Sequence, residues 1–159
     1  MGQWIDANPY LTLYSFGDPV RTAYHTGADL NLNDPHWDAD KGQPVHSCAD
    51  GVVTFAELVP APSSWGRLVV ICHELPDGSV IHSRYGHLAE LAVRAGQLVL
   101  LGDVLGTIGG AEYGLANHLH FDISHSGILE TNPTHWPGSN KQAVLDNYLD
   151  PKGFLQANL

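Results

Sequence analysis

The sequence predicts a mostly β domain: a small antiparallel sheet with few short helices. Three observations carry this prediction. Short β-branched or apolar runs recur along the chain, each bounded by turn residues. Seventeen glycines and ten prolines punctuate them. No long stretch shows the 3.6-residue apolar period of an amphipathic helix. At 159 residues the chain has the length of one domain and can bury a core without staples.

The elements follow in order. Val45 to Leu58 is β-branched and interrupted by Asp50-Gly51, which reads as a hairpin turn. Arg67 to Glu74 contains Leu68-Val69-Val70-Ile71-Cys72, the continuous apolar run of a buried strand. Pro76-Asp77-Gly78 is a tight turn and Ser79 to Tyr85 its return strand, so 67–85 is one hairpin. A short helix is expected over Ala89 to Arg94. Gln97 to Ile108 is a further apolar stretch, broken by Gly102-Asp103 and Gly106. Asn117 to Ser124 alternates polar and apolar residues, as a half-buried strand does. A second short helix is expected over Lys141 to Tyr148, with Ser139 or Asn140 as its N-cap.

Composition removes several function classes. The chain is 43% hydrophobic and 15% charged, which is globular rather than disordered. Seven Lys and Arg against seventeen Asp and Glu give a net charge of −10. That argues against nucleic acid and anionic membrane as partners, because phosphate binding needs cationic surface. No apolar run approaches the length that a bilayer requires. Met1-Gly2-Gln3-Trp4-Ile5-Asp6 lacks the basic start and apolar stretch of a secretory signal. Cys48 and Cys72 form no CxxC, and two unpaired buried thiols are expected. The ten histidines are the unusual feature, and they direct the search to metal ligands.

His118-Leu119-His120-Phe121-Asp122-Ile123 is the first candidate. On a strand, His118, His120 and Asp122 share one face, while Leu119, Phe121 and Ile123 turn to the core. The two imidazoles are then ~7 Å apart at Cα, which suits one ligand beside a catalytic base, or two ligands of one ion. His25-Thr26-Gly27-Ala28-Asp29 is the second. If extended, His25, Gly27 and Asp29 share a face, and the missing side chain at Gly27 leaves room for an ion. His25, Asp29 and one histidine of the His118/His120 pair make an N, N, O set, which describes a catalytic rather than a structural zinc site. The third is Tyr85-Gly86-His87-Leu88, which sets a histidine at the end of the hairpin.

Each of these segments alone is weak evidence, and their co-occurrence is what counts. His36, His46, His73, His82, His125 and His135 are read as surface or hydrogen-bonded residues. His73-Glu74 starts like HExxH, but no second histidine follows and Pro76 opposes a helix. No GxSxG, P-loop or GxGxxG occurs, so serine hydrolysis and nucleotide binding have no support.

The order His25-x-Gly27-x-Asp29, Tyr85-x-His87-Leu88, Gly102-Asp103-x-Leu105-Gly106 and His118-Leu119-His120-Phe121 resembles the lysostaphin/LytM-type zinc metallopeptidases, the M23 peptidase family. Gly42-x-Pro44-Val45 and Ala49-Asp50-Gly51-Val52-Val53 look like that family's first hairpin, and Tyr148-x-Asp150-Pro151 fits its close. The resemblance runs from about Gly17 to Ile123. It implies a small antiparallel-sheet domain with barrel-sandwich-like hairpins: one metallopeptidase domain over 1–159, with a motif-bearing core at about 17–124 and a C-terminal extension at 125–159. It implies that His25, Asp29 and His120 bind Zn2+, and that His118 and His87 are the catalytic histidines. It implies bacterial peptidoglycan peptides as substrate, either glycine bridges or stem-peptide cross-links, and an extracellular, periplasmic or cell-wall location. His118 is the better general base because it shares a strand face with His120, and His87 then serves the oxyanion or the leaving amine; the two roles are interchangeable on sequence.

Two departures stand out. Asn117 occupies the position where many members have proline, and neither Tyr14 nor Tyr24 has a convincing spacing for the family's upstream tyrosine. Trp37 and Trp65, in the loops Asn31 to Gly42 and Glu57 to Gly66, are candidates to line a groove, as is the loop Ile108 to Asn117. The alternative reading is a catalytically silent zinc-binding regulator of wall hydrolysis. A lipoyl-type carrier is disfavoured because Lys41, Lys141 and Lys152 do not sit between paired strands.

Overall fold

The computed structural model describes residues 4–17, 19–32, 39–110 and 114–158. The strands are β1 (Trp4–Asn8), β2 (Leu13–Phe16), β3 (Arg21–Tyr24), β4 (Ala28–Leu32), β5 (Pro44–His46), β6 (Gly51–Leu58), β7 (Arg67–Glu74), β8 (Val80–Leu91), β9 (Leu98–Val99), β10 (Val104–Ile108), β11 (Leu119–Ser124) and β12 (Tyr148–Leu149). The helices are short: α1 (Ile128–Thr131), α2 (Lys141–Asn147) and α3 (Pro151–Asn158). The large sheet runs β1-β4-β11-β8-β7-β6-β9, with β10 joining β5 and β8 and β12 joining β11; β2 and β3 form a separate ribbon. The described pairings are antiparallel. The mostly β, antiparallel expectation therefore holds.

Strand alternation divides the residues between two clusters. Val69, Ile71, Tyr85, Phe121 and Ile123 point into the main core with Val45, Leu105 and Ile108. Val70, on the opposite face, packs with Leu129, Val144 and Tyr148 from the C-terminal elements. The 67–85 hairpin forms as predicted, β7 against β8. Helix α2 also forms, and the Asn140 side chain caps it by accepting from the Ala143 N–H at 3.1 Å.

Four expectations are corrected. Ala89 to Arg94 is not a helix: Ala89 to Leu91 extend β8, where Leu91 faces Gly106 and Leu88 faces Ile108 on β10. Burial of Leu88 and this pairing outweigh local propensity. Asp50-Gly51 is not a hairpin turn, because β5 pairs with β10 while β6 pairs with β7 and β9. It is a tied corner: Asp50 Oδ1 accepts the Leu101 N–H at 2.7 Å, and the Asp50 carbonyl accepts from His73 Nδ1 at 2.8 Å. β11 is covered on both faces rather than one, since the site and the C-terminal elements lie over its second side. Cys48 and Cys72 are free as expected, but half-buried rather than buried.

Candidate metal centre and its cleft

Three strands meet at the site, on the sheet face opposite the main core. His120 on β11 stands opposite Asp29 on β4 and opposite Gly86 on β8. His25 lies in the bend between β3 and β4. His25 Nε2 is 3.0 Å from Asp29 Oδ1, His120 Nδ1 is 3.1 Å from the same oxygen, and the two nitrogens are 3.1 Å apart. Imidazole and carboxylate bonds to zinc of about 2.0 to 2.1 Å set tetrahedral donors about 3.3 Å apart. The near-equilateral triangle of two nitrogens and one oxygen therefore fits one small divalent cation. It is the group of described residues whose donors converge in this way.

Buried partners fix these donors. Burial alone would raise the Asp29 carboxyl, but hydrogen bonds with His120 and His25 outweigh it and hold it far below the usual carboxylate range. His120 donates from Nε2 to Asp122 Oδ2 at 3.0 Å, so Nδ1 offers a lone pair to the site once it gives up the proton it shares with Asp29. Asp122 is fully buried, accepts from Thr26 Oγ1 at 2.7 Å, and is gripped through both oxygens by Arg84 at 3.1 and 2.5 Å. Burial pushes the Asp122 carboxyl up, but the Arg84 charge and the His120 hydrogen bond bring it down to about 2.

Gly27 works differently from the expectation. A Cβ there would collide with the Phe121 carbonyl and stand 2.5 Å from Asp122 Cβ. The glycine lets the His25–Asp29 turn approach β11, rather than making room for an ion. Gly86 plays a similar part, since a Cβ would sit 3.1 Å from the Trp65 ring.

His87 occupies a bulge. Arg67 pairs with Leu88 and Val69 with Tyr85, so Gly86 and His87 together face Leu68. His87 has φ 63°, a left-handed conformation that costs energy for any residue but glycine. Its Nδ1–H donates to the Ser64 carbonyl at 2.9 Å, and its ring stacks on Trp65 with centroids 5.8 Å apart. Burial, reinforced by His118 and His120, lowers its basicity well below that of free imidazole. His118, just before β11, donates from Nδ1 to the Ala116 carbonyl at 2.7 Å and brings Nε2 to 3.6 Å from Asp29 Oδ1. The His87 and His118 rings lie 4.7 Å apart. Both carbonyl contacts put a proton on Nδ1, so Nε2 is the nitrogen left to accept one.

The centre opens into a cleft of about 640 Å³. Pro62 to Trp65 form one wall, with Gly114 and Leu115 beside it. Trp65 thus lines the cleft; Trp37, His36 and the rest of 33–38, half of that loop, lie outside the described residues. The β2–β3 ribbon also lines the cleft through Tyr14, Phe16 and Arg21, and it brings Tyr14 edge-on to His25 at 5.8 Å. Tyr14, not Tyr24, is the tyrosine at the site, and chain spacing could not reveal this because the ribbon folds back. Burial and Asp29 keep its hydroxyl protonated. Trp136 also lines the cleft. Trp136, Arg84 and Asp122 carried no sequence signal as site residues, apart from the place of Asp122 on the His120 face.

Among the other described histidines, three are hydrogen-bonded within the fold. His73 bonds the Asp50 carbonyl and Ser83 Oγ, His46 the Gly102 carbonyl, and His135 the Tyr148 hydroxyl. His125 is exposed, and the buried His82 has no hydrogen-bond partner among the described residues.

Residues 23–133 match peptidase family M23. The chain is 32% identical over 103 residues to the peptidoglycan DD-endopeptidase ShyA of Vibrio cholerae serotype O1, an alignment covering 65% of this chain and 21% of ShyA. It is 32% identical over 114 residues to ShyB of the same organism, also a peptidoglycan DD-endopeptidase, covering 72% and 25%. The chain thus spans about a quarter of these relatives or less. Lysostaphin, the antimicrobial peptidase of Staphylococcus simulans, shares the fold with a TM-score of 0.64 at 20% identity, over 99% of this chain and 52% of lysostaphin. The matched span takes in most of the sequence and every histidine of the centre, and the chain belongs to peptidase family M23.

Proposed function

We propose that this chain is a zinc-dependent endopeptidase that hydrolyses peptide bonds in bacterial peptidoglycan, acting outside the cytoplasm. The observation that carries this reading is the triangle of His25, Asp29 and His120 donors, with two further imidazoles beside it in an open cleft. The peptidoglycan DD-endopeptidases among the relatives support the substrate class. When bound, zinc supplies Lewis acidity that activates water and polarises the scissile carbonyl.

The chain's own residues do the rest. His25, Asp29 and His120 hold the ion, and the Arg84–Asp122 pair keeps His120 turned with Nδ1 forward. His118 takes a proton at Nε2, its Nδ1–H being committed to Ala116, and returns it to the leaving amine. His87 is oriented in the same way by Ser64; its weakly basic Nε2 takes the second proton of the attacking water and donates it to the oxyanion or the leaving amine. Tyr14, which also lines the cleft beside His25, brings a second donor, its hydroxyl.

The test is mass spectrometry of peptidoglycan fragments after incubation with zinc-loaded protein. The expected result is new termini at one kind of peptide bond, abolished by a chelator. Zinc-loaded protein that leaves every peptide intact would identify a silent regulator instead.

A further inference from the structure

Trp136 lies beyond the residues that match the family, yet its indole reaches the centre of the cleft. Its ring centroid is 5.9 Å from His120, 6.3 Å from His25, 5.6 Å from Trp65 and 6.3 Å from Tyr14. It is half-buried: part of the ring packs on these aromatics and part remains open to the cleft.

The segment that carries it has little regular structure and is instead tied down on both sides. Arg84 Nη1 donates to the Pro133 carbonyl at 3.0 Å and to the His135 carbonyl at 2.9 Å. Trp65 Nε1 donates to the Thr134 carbonyl at 3.2 Å, and the Tyr24 N–H to the Gly138 carbonyl at 2.9 Å. Arg84 is the same guanidinium that holds Asp122, and through it His120. One buried cation therefore fixes both a metal-ligand candidate and the segment beside it. The segment contributes nothing to the main core, which lies on the other sheet face.

We propose that segment 132–138 is a substrate-binding wall in which Trp136 contacts the peptide residue next to the scissile bond, with Arg84 as the positioning residue that keeps this wall in register with His120. The inference rests on the peptidase reading and adds a binding surface to it. A flat indole beside the ligand candidates His25 and His120 suits a small apolar residue of an extended peptide rather than an acidic one.

The test compares wild type with Trp136→Leu, Trp136→Ala and Trp136→Phe, using soluble cross-linked peptides released from peptidoglycan by a muramidase. In Trp136→Leu, KM should rise roughly tenfold while kcat stays within about twofold. Bound zinc should be unchanged, and Trp136→Phe should recover most of the loss. Unchanged KM in both the Leu and Ala variants overturns the proposal. Wild-type protein labelled with 5-fluorotryptophan gives a readout that needs neither turnover nor a stable variant. The resonance missing from Trp136→Phe should shift when the peptides are added, and a Trp136 resonance that stays still while the peptides bind overturns the proposal. Binding without cleavage would defeat the peptidase reading while leaving the wall supported by that shift. Cleavage with unchanged KM in both the Leu and Ala variants would do the reverse, and neither binding nor cleavage would defeat both.

Discussion

His87 shows how a single residue carries strain to serve a site. Its φ of 63° turns the imidazole off the β8 register and toward His118. Ala and Gly both delete the ring, but only Gly relaxes in this conformation. His87→Gly should therefore be about 1 kcal/mol more stable than His87→Ala by urea denaturation, with both inactive. Asp122 belongs at the same scale. Removing its carboxylate leaves Arg84 buried without its counter-charge, so Asp122→Ala should cost about 3–5 kcal/mol, read as a lowered denaturation midpoint. The ligand candidates were legible because strand alternation and a four-residue spacing are local properties. Arg84 and Trp136 were not, because their partners come from distant segments with no period linking them. Tyr14 was seen but not placed, since only the β2–β3 ribbon brings it to His25.

At the scale of elements, the turn from His25 to Asp29 and strand β11 are fitted backbone to backbone. Gly27→Ala would drive a methyl into the Phe121 carbonyl and toward Asp122 Cβ, forcing the two apart. The expected cost is about 3 kcal/mol by denaturation, together with weakened zinc binding because Asp29 and His120 separate. Hairpin 67–85 and helix α2 were legible because their signals are contained within them: a Pro-Asp-Gly turn and an Asn cap. The false helix at Ala89 to Arg94 failed for the opposite reason. Those residues take their conformation from β10, a strand remote in sequence. The same applies to β5, whose partner is β10 rather than its neighbour β6.

For the whole molecule, buried neutral histidines tie stability to pH. Burial lowers His73 against the pull of the Asp50 carbonyl, and burial lowers His82, which lies opposite Cys72 and near Glu130. Their folded pKa values fall below the unfolded value of about 6.5. In that window the unfolded chain binds protons that the folded chain refuses, so stability is full above about pH 6.5 and falls as the pH drops through the lowered folded values. The urea midpoint should decline between pH 7 and pH 5, and His82→Leu should flatten part of that decline. An equally steep decline in the variant would remove His82 from the account. The fold as a whole has one further task, to bring the β3–β4 bend and strands β4 and β11 to one point. Zinc content after exhaustive dialysis tests that convergence most directly. We predict one zinc per chain for wild type, His87→Ala and His118→Ala, and none for His25→Ala, Asp29→Ala or His120→Ala. Zinc retained by His120→Ala, or lost as fully from His118→Ala, would contradict it.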